Sequence, residues 1–459
     1  MSTHAYQVGC SSASQTREGK GSAKRRLALS SLRGSALLAA LCFGTVLTIS
    51  LGSYMTLCTR TLTLSSRSAQ GTLSLELAET GLEDALWALN KNDWSAWTIA
   101  GSTATRTITG FNFGGGVTGQ VEISVTSYNG SAGARTITAR GVTTAVAGSS
   151  TTRTLTSACS EVPVFVNAVA ATTSSVAFAS GGTVDSYDSS LGSYSSQTPG
   201  YSAIVASQAP AGSTPTIQLT NAVVKGYAAS NYATGPSYST SGKLIGPTTP
   251  ETTRIDPSRI SASPYQPVIP IRSISGGGTV LANPAAGTTV TLGSPTDTVP
   301  AIYYSSGLNL TSTTKITVNG PVRLVVTGAF YIGLNGGTPS IEVTTNGTLE
   351  VFAAGDIAIY GNGINNVTND PKRVVIYGTN TLTAPDMNTA VPLHGVIYTP
   401  YGQFNVLGNS TIYGALIAKK VVFSGSAPTV HYDLNLRRLT FSGLETIYGV
   451  SNWRESFGD

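Results

Sequence analysis

Charged residues, histidine and cysteine are scarce in this 459-residue chain. Asp, Glu, Lys and Arg make up 11% of the residues, and the chain contains three histidines and four cysteines. Gly (51) and Tyr (20) are abundant. This composition is typical of exported, β-rich proteins and disfavours a cytosolic enzyme. The length allows two or three domains with a sizeable buried core.

Cysteine and common site motifs give no sign of a metal or cofactor site. No G-x-S-x-G, H-E-x-x-H, P-loop or EF-hand pattern is found. The cysteines, which form no C-x-x-C pair and show no metal-ligand spacing, are Cys10, Cys42, Cys58 and Cys159. We predict no cofactor and no bound metal. A disulfide between Cys58 and Cys159 in an oxidising compartment remains open.

The histidines and carboxylates do not form a recognisable catalytic set. His394 begins a predicted strand, and His431 lies two residues before Asp433 without a placed Ser or Cys nucleophile. Glycoside hydrolysis needs two flanking carboxylates, and the closest pair outside the helical segment, Asp185 and Asp188, is interpreted as a polar turn. We predict that the chain is not an enzyme and has no catalytic residues. If the chain forms a solenoid, its stacked turns could still bring two carboxylates close together.

The net charge of +5 belongs to the N-terminus. Residues 1–34 hold six of the 27 Lys and Arg residues and one of the 22 Asp and Glu residues, which leaves 21 of each in the rest. A neutral body lacks the excess of basic residues with which proteins bind nucleic acid. We therefore expect no nucleic-acid partner.

A 24-residue run without charge extends from Ser35 to Cys58. As a helix it would be about 36 Å long, enough to cross a hydrocarbon core of about 30 Å. Basic residues precede it, so the positive-inside rule keeps the N-terminus in the cytoplasm. The sequence therefore predicts a single-pass membrane protein whose C-terminal body is extracytoplasmic, in the periplasm or at the cell surface.

Several interpretations of this segment compete. A cleaved secretory signal would have a shorter apolar core and an A-x-A-like exit. A lipoprotein signal would need a small residue before the cysteine, where Leu41 and Leu57 stand. An ordinary uncleaved single-span anchor remains possible. The fourth interpretation is a basic leader, a Gly, and an apolar helix that is retained after cleavage.

The run Arg33-Gly34-Ser35-Ala36-Leu37-Leu38 resembles the start of type IV pilin-like proteins, especially the minor-pilin and pilus-assembly (PilX-like) class. The resemblance implies cleavage by a prepilin peptidase between Gly34 and Ser35. It also implies inner-membrane lipid and other pilin-type subunits as partners. Residue 39 is Ala, where major pilins usually carry Glu, which fits an accessory subunit.

A second helical pattern follows the apolar run. Its apolar face is formed by Leu75, Ala78, Leu82, Ala85, Leu86 and Leu89. Glu76, Glu79 and Glu83 make a solvated face, and Trp87, Trp94 and Trp97 are expected to cap the apolar one. The segment from Ala78 to Leu86 resembles the helix that follows the membrane span in pilus-assembly proteins. We predict one membrane-spanning and amphipathic helix over residues 35–90.

Residues 91–161 change to short alternating runs separated by Gly-rich turns. Four strands are predicted, at residues 105–109, 120–125, 135–139 and 152–156. A long helix packed on a small antiparallel sheet is the pilin architecture, so the sequence predicts a small antiparallel, pilin-like domain here.

From residue 162 onward, short β-branched or aromatic runs alternate with Gly, Asn and Ser. Near the end the unit nearly repeats: Gly395 to Tyr398 recurs as Gly414 to Ile417, 19 residues later, and Phe404 recurs as Val421, 17 residues later. Such offsets match one turn of a three-sided solenoid, whose turns must stack to be stable. We predict a parallel, right-handed β-helix over residues 162–440, with a β-sandwich as the alternative.

The rest of the predicted organisation is a Pro-rich excursion at residues 236–270 and a C-terminal tail at residues 441–459. The segments Leu393 to Tyr398, Ile412 to Ala415 and His431 to Asp433 resemble β-helical domains attached to some pilin-like anchors. The chain is thus mainly β. Its expected function is that of a non-enzymatic pilin-like accessory subunit for assembly or adhesion, presenting a β-helix that binds a glycan or surface ligand. The alternatives are a membrane-anchored polysaccharide-binding or polysaccharide-cleaving protein, and a surface structural protein with an uncleaved anchor.

Overall fold

The computed structural model of the chain describes residues 32–129, 134–146, 148–210, 212, 216–231, 235–238, 241–275, 277–380 and 385–457. The architecture is mainly β, with one long N-terminal helix, a small antiparallel sheet and a large body of parallel strands. The helix and small sheet share one apolar core, and the body has another. Most of the leader, with His4 and Cys10, lies outside the described residues.

Helix α1 (Leu32–Lys91) is 60 residues long and therefore extends about 90 Å. The long N-terminal helix predicted from the sequence is confirmed. It contains a segment that is long and apolar enough to cross a membrane. Between residues 36 and 69 the side chains are exposed apart from the half-buried Cys58. This half of the helix therefore has no protein covering it.

The second half of α1 packs on the antiparallel sheet. Its buried side chains include Leu77, Ala78, Ala85, Ala88 and Leu89. Three of these belong to the predicted apolar face, and the three other predicted leucines are partly buried at its edge. The face has this three- and four-residue spacing because consecutive helical turns meet the sheet on one side.

Polar and aromatic residues flank this contact. Asp84 of α1 forms an ion pair with Arg106, with 2.9 Å between Oδ1 and Nη1. Trp94 packs edge-on against Trp97, with ring centroids 5.3 Å apart. Trp87 is exposed and does not cover the apolar face as the sequence suggested.

The small sheet is antiparallel. Its first five strands are β1 (Thr98–Ala100), β2 (Thr103–Asn112), β3 (Thr118–Thr126), β4 (Arg135–Thr144) and β5 (Ser150–Glu161). The four predicted strands lie within β2 to β5, and the short β1 extends the sheet beyond them. Alternate residues of β3 and β4 are buried against α1, which is the pattern of a sheet covered on one face.

The body begins with a segment of nine strands, called segment A (residues 162–261). They are β6 (Val169–Ala171), β7 (Val176–Phe178), β8 (Gly182–Tyr187), β9 (Ala203–Ser207), β10 (Ile217–Leu219), β11 (Ala222–Ser230), β12 (Ser237–Tyr238), β13 (Lys243–Ile245) and β14 (Ile260–Ser261). The 3₁₀ turns are Ser189–Leu191, Tyr194–Ser196 and Pro257–Arg259. The last three strands fall in the region where the sequence placed a Pro-rich excursion.

After a connecting stretch, segment B (residues 279–433) supplies sixteen more strands. They are β15 (Thr279–Val280), β16 (Thr289–Leu292), β17 (Ala301–Ser305), β18 (Leu308–Ser312), β19 (Lys315–Val318), β20 (Pro321–Val326), β21 (Phe330–Gly337), β22 (Ser340–Val343), β23 (Thr348–Ala353), β24 (Ile357–Gly361), β25 (Ile364–Asn366), β26 (Val374–Gly378), β27 (Asp386–Thr389), β28 (Leu393–Leu407), β29 (Thr411–Ser424) and β30 (Thr429–Asp433). The 3₁₀ turns are Pro371–Arg373 and, just after β30, Leu434–Arg438.

The strands of both segments form three stacks of parallel neighbours. Stack 1 runs β15-β17-β20-β23-β26-β28-β29-β6-β9-β11-β14, and stack 2 runs β18-β21-β24-β27-β28-β29-β7-β10-β12. Stack 3 has two parts, β16-β19-β22-β25 and then β28-β29-β30-β8-β11-β13. Every pairing among β6 to β30 in the described chain is parallel, which excludes an antiparallel β-sandwich.

Buried apolar residues form continuous columns inside each stack. In stack 1, directly paired positions include Leu324, Val351, Ile376, Ile397, Leu416 and Val169. The near-repeat seen in the sequence corresponds to direct pairs, because Gly395 is opposite Gly414 and Phe404 is opposite Val421. Because each strand leaves its apolar side uncovered until a neighbour stacks on it, the columns make neighbouring turns depend on one another.

The spatial order of the two segments is the reverse of their order in the chain. Segment A pairs with the end of segment B: β6 and β7 pair with β29, and β8 pairs with β30. We call this contact the seam. Residues 262–278 connect the far end of segment A to the far end of segment B. Ten strand spacings of stack 1 amount to about 48 Å. Because 17 extended residues reach at most about 60 Å, the connection is long enough to join the two ends of the stack.

The body is inserted between two neighbouring strands of the small sheet. Strand β31 (Tyr448–Phe457) pairs antiparallel with β5, starting at Tyr448 opposite Glu161. The two chain connections between the sheet and the body lie side by side, because the Val162 backbone amide donates to the Ile447 carbonyl at 2.8 Å. Residues 448–457, which the sequence analysis assigned to a C-terminal tail, are thus the sixth strand of the sheet.

Gly141 on β4 allows α1 to approach the sheet closely. A Cβ at this position would overlap the carbonyl oxygen of Ser74 and lie 2.8 Å from the backbone nitrogen of Ala78. We expect Gly141→Ala to separate the helix from the sheet and to lower the free energy of unfolding by about 1–3 kcal/mol. Thermal unfolding of the full-length chain in detergent micelles measures this loss.

Gly277→Ala is the matched control, because a Cβ there meets nothing within 4 Å. It should leave the unfolding temperature nearly unchanged. Equal losses in the two variants would contradict a tight contact between helix and sheet at Gly141.

Candidate functional site

A break in stack 3 creates the most distinctive surface feature of the body. The buried column Leu292, Val318, Val343 ends at Asn366, which is 1% exposed. The side-chain amide of Asn366 donates to the backbone carbonyls of Asp370, at 2.8 Å, and His394, at 3.0 Å. A polar side chain can stand in this apolar column because its hydrogen bonds are satisfied. The chain then leaves the stack as a loop at residues 367–373.

A cleft of about 700 Å³ lies beside this break. It is lined on one side by the 189–195 loop of segment A and on the other by the 368–372 loop of segment B. Tyr187, His394 and Tyr413 lie between the two loops. The volume is within the range of small-molecule sites, roughly 300–1,000 Å³. The cleft therefore combines residues from both segments, at the seam.

Aromatic side chains of successive turns stack along the cleft. His394 is opposite Tyr413 in the strand register, and Tyr413 is opposite His431. The rings of His394 and Tyr413 are parallel with centroids 4.4 Å apart, and those of Tyr413 and His431 are 4.7 Å apart. The spacing follows from the distance between parallel strands, about 4.8 Å. Tyr194 packs against both His431 and Tyr413, with centroids 3.9 Å and 5.4 Å away.

Asp185 binds the end of this aromatic stack from across the seam. Its Oδ1 lies 2.7 Å from Nδ1 of His431, and its Oδ2 accepts a hydrogen bond from the Tyr194 hydroxyl at 2.8 Å. Asp185 is 1% exposed. A buried carboxylate is stable only when its oxygens are paired in this way.

The sequence analysis assigned these residues differently. Asp188 does form a turn, because its side chain accepts from the Ser190 amide at 2.9 Å. Asp185 does not belong to that turn and instead pairs with His431. Asp433, the sequence neighbour of His431, accepts from the amides of Ser189 and Asn435.

The Asp185–His431 pair lacks the third member of a nucleophilic set. Nucleophilic catalysis of this type needs a hydroxyl or thiol within hydrogen-bonding distance of the imidazole. In the described part of the chain, no Ser, Thr or Cys side chain is hydrogen-bonded to His431. Its ring packs instead against Tyr194 and Tyr413. The pair therefore connects the two segments of the body.

Burial keeps the imidazole and the phenols of the cleft uncharged. It lowers the pKa of His394 to about 4, with a smaller effect from His431. It also raises the pKa of Tyr413, and it raises the pKa of Tyr187, whose buried hydroxyl has no hydrogen-bonding partner among the described residues. For Tyr194, burial and the bond to Asp185 both raise the pKa. The imidazole of His394 and these phenols are neutral near pH 7.

The two charged side chains that line the cleft neutralise each other. Asp370 Oδ2 lies 3.2 Å from Lys372 Nζ and 3.9 Å from Arg373 Nε. Of the cleft-lining residues that the structure describes, Asp370 is the single carboxylate. Within the described ranges, no group of three or more His, Cys, Asp and Glu side chains is arranged for a metal ion.

The predicted processing site lies at the other end of the molecule. Gly34 and Ser35 occupy the first turn of α1. Cys58 and Cys159, whose pairing the sequence left open, are both free thiols. Cys159 is buried in the small sheet, and burial raises its pKa to about 11. The thiol is therefore unreactive near neutral pH.

Sequence reasoning missed most of the cleft. It singled out His394, His431 and the pair of aspartates at 185 and 188, but it did not bring His431 and Asp185 together. They are 246 residues apart in the chain. The one available signal was the alignment of His394 with Tyr413 in the near-repeat, which places the two side chains in neighbouring turns.

Removing the Asp185 carboxylate should weaken the seam. We expect Asp185→Ala to leave His431 and Tyr194 without their acceptor and to cost about 1–3 kcal/mol in the free energy of unfolding. His431→Ala should cause a loss of the same order. Urea unfolding of the full-length chain, followed by tyrosine fluorescence, measures both.

Asp386→Ala is the control, because Asp386 accepts a similar bond from Tyr360, at 2.8 Å, within segment B. The site is half-buried and away from the seam, so the loss should be smaller. If Asp185→Ala left the stability unchanged, the pair would not hold the two segments together.

Comparison with known proteins gives few matches. Residues 273–439 match the family model described as a domain of unknown function (DUF7305). This range covers segment B with His394, Tyr413 and His431, and it excludes Asp185. We found no match among curated proteins. Among solved structures, the competence-associated pilin ComZ from Thermus thermophilus is similar at a TM-score of 0.21 and 11% sequence identity. The similarity covers 85% of this chain and 98% of that chain. A TM-score this low does not establish a shared fold.

Proposed function

We propose that the protein is a pilin-like accessory subunit, anchored by α1, that presents the body of parallel strands outside the cytoplasmic membrane. The observation that carries this proposal is the division of α1 into two halves. The first half is uncharged from Ser35 to Cys58, and its side chains are exposed from Ala36 to Leu57, whereas the second half is packed on the small sheet. A helix that is apolar and bare in this way requires lipid or other helices around it.

Two kinds of partner fit the bare half of α1. Lipid of the inner membrane surrounds it first, and helices of other pilin-type subunits replace the lipid on assembly. A Cβ at Gly44 or Gly52 would meet nothing within 4 Å, so both positions are open to a close helix–helix contact. Ala39 in place of the Glu of major pilins supports an accessory position.

We also propose that the three stacks form a right-handed parallel β-helix. Paired positions in stack 1 are 27, 25, 21 and 19 residues apart between Leu324 and Leu416, which are lengths of single turns. Connections between parallel strands of one sheet are right-handed in about 98% of cases. The body would then be an elongated surface for adhesion or assembly.

A binding or structural role suits the body better than turnover. Cleavage of a glycoside needs two carboxylates beside the bond, and the described lining of the cleft offers Asp370 alone. The cleft itself favours the second candidate function, that of a membrane-anchored polysaccharide-binding protein. The third candidate is a surface structural protein with an uncleaved anchor and no link to a pilus. The processing experiment below distinguishes it from the pilin-like subunit.

Processing of the leader tests the proposal directly. Co-expressed with a prepilin peptidase, the chain should be cut after Gly34, so that N-terminal sequencing of the membrane fraction starts at Ser35. Without the peptidase the protein should keep its full N-terminus. Gly34→Leu is the matched control and should stay uncut with the peptidase present. An intact N-terminus in the wild-type chain under both conditions would contradict the pilin-like assignment.

The body should fold without the anchor. We expect residues 162–447 to be soluble and β-rich, with almost no helical signal in circular dichroism, because α1 lies outside this range. Val351→Asp should abolish folding, since it buries a charge in the column of stack 1. Thr348→Asp, half-exposed on the same strand, is the control. A strong helical signal from the wild-type fragment would exclude the β-helix.

A further inference from the structure

The cleft at the seam offers hydrogen-bonding groups that the protein itself does not use. Neither ring nitrogen of His394 has a hydrogen-bonding partner among the residues with described positions, and the same holds for the Tyr413 hydroxyl. Both side chains line the cleft, one turn apart. Polar groups in a concave site normally bind water or a ligand.

These groups share one chemical property. A neutral imidazole has one donor and one acceptor nitrogen, and a phenol or an aliphatic hydroxyl both donates and accepts. The serine hydroxyls of the 189–195 loop are of the same type, and each uses part of its capacity within the protein: Ser190 donates to Asp188 at 2.6 Å, and Ser189 accepts from Asn435 at 2.9 Å. The Ser190 oxygen can still accept a hydrogen bond, and the Ser189 hydroxyl can still donate one. A ligand with many hydroxyl groups matches such a lining, because each of its hydroxyls also donates and accepts.

The charge of the cleft selects against ionic ligands. The Asp370 and Lys372 side chains pair with each other, and Lys372 is the single cation in the described lining of the cleft, so that lining has no cluster of cations for a phosphate or sulfate. A carboxylate or phosphate group would have to share Lys372 with Asp370 and would be repelled by the Asp370 carboxylate. An uncharged ligand leaves the pair intact.

Both loops of the cleft are held in place before any ligand arrives. The Gln197 amide donates to the carbonyls of Asp188 and Gly192, each at 2.8 Å, and thereby closes the 189–195 loop. The Asp370 side chain accepts from the Lys372 amide at the start of the other turn. A pre-formed site loses less conformational entropy on binding.

We propose that the cleft between the 189–195 and 368–372 loops binds an uncharged, short oligosaccharide, through His394, Tyr413 and the serine hydroxyls of the first loop. The site depends on the seam, because neither segment alone lines both sides. This inference deepens the polysaccharide-binding candidate stated above and rests on it, but it is independent of the anchoring function and holds whether or not the leader is cleaved.

The test uses the full-length chain in a polyoxyethylene detergent, since sugar-headed detergents would compete for the cleft. The probes are maltotriose, cellotriose, mannotriose and triacetylchitotriose, with sialyllactose and glucose 6-phosphate as charged comparators. Saturation-transfer NMR detects binding, and calorimetry gives Kd. We expect at least one uncharged trisaccharide to bind, and the charged comparators to bind at least tenfold more weakly.

Three variants locate the binding. Tyr413→Phe removes one hydroxyl and keeps the ring stack, so Kd should rise by about three- to tenfold. His394→Ala should raise Kd further. Tyr401→Phe is the control, because Tyr401 is a partly exposed tyrosine of β28 that does not line the cleft, and its Kd should stay within about twofold of wild type.

Three results would overturn the inference: no uncharged trisaccharide binds, only the charged comparators bind, or Tyr413→Phe binds with the wild-type Kd. If thermal unfolding shows that His394→Ala is misfolded, Tyr413→Phe decides the outcome. Failure of leader processing would leave the sugar titration unchanged, so the two proposals are tested separately.

Discussion

Parallel backbone pairing across the seam is the interaction on which the body depends. Strand β29 pairs with β28 on one side and with β6 and β7 on the other, so it joins segment B to segment A. Phe178 and Phe423 stack there with centroids 4.3 Å apart, and the Tyr432 hydroxyl donates to the Phe165 carbonyl. Without these contacts each segment would end in an unpaired strand edge and an uncovered apolar column, which are sites of aggregation.

Local pattern in the sequence was sufficient for the elements but not for their order. The apolar run predicted α1, and the near-repeat predicted the pairing of Gly395 with Gly414, because both depend on residues close in the chain. The stacking of segment A after segment B left no such sign. Leu416 and Val169 pair as any two apolar strand residues would, and nothing in either strand identifies its distant partner. For the same reason, the sequence did not predict the pairing of β31 with β5 or the contact between Asp185 and His431.

The cleft illustrates how a concave surface arises from an irregularity in a regular stack. A continuous column of apolar residues would have closed stack 3 between β25 and β28. Asn366 instead ends the column, and the loop that follows supplies one side of the cleft. The other side comes from a loop of segment A that lies nearby only because the chain order is reversed. Fold topology and polar chemistry therefore act together at this site.

The insertion of the body between β5 and β31 has a mechanical consequence. A force that pulls the body away from helix α1 enters the small sheet at Val162 and Ile447, side by side. Both strands are then loaded in the same direction, and the bonds between them carry little shear. The load passes to the contact between β4 and β5, where ten residue pairs resist it in parallel. Helix α1 and the small sheet are thus connected to the body by a joint that resists traction along the strands.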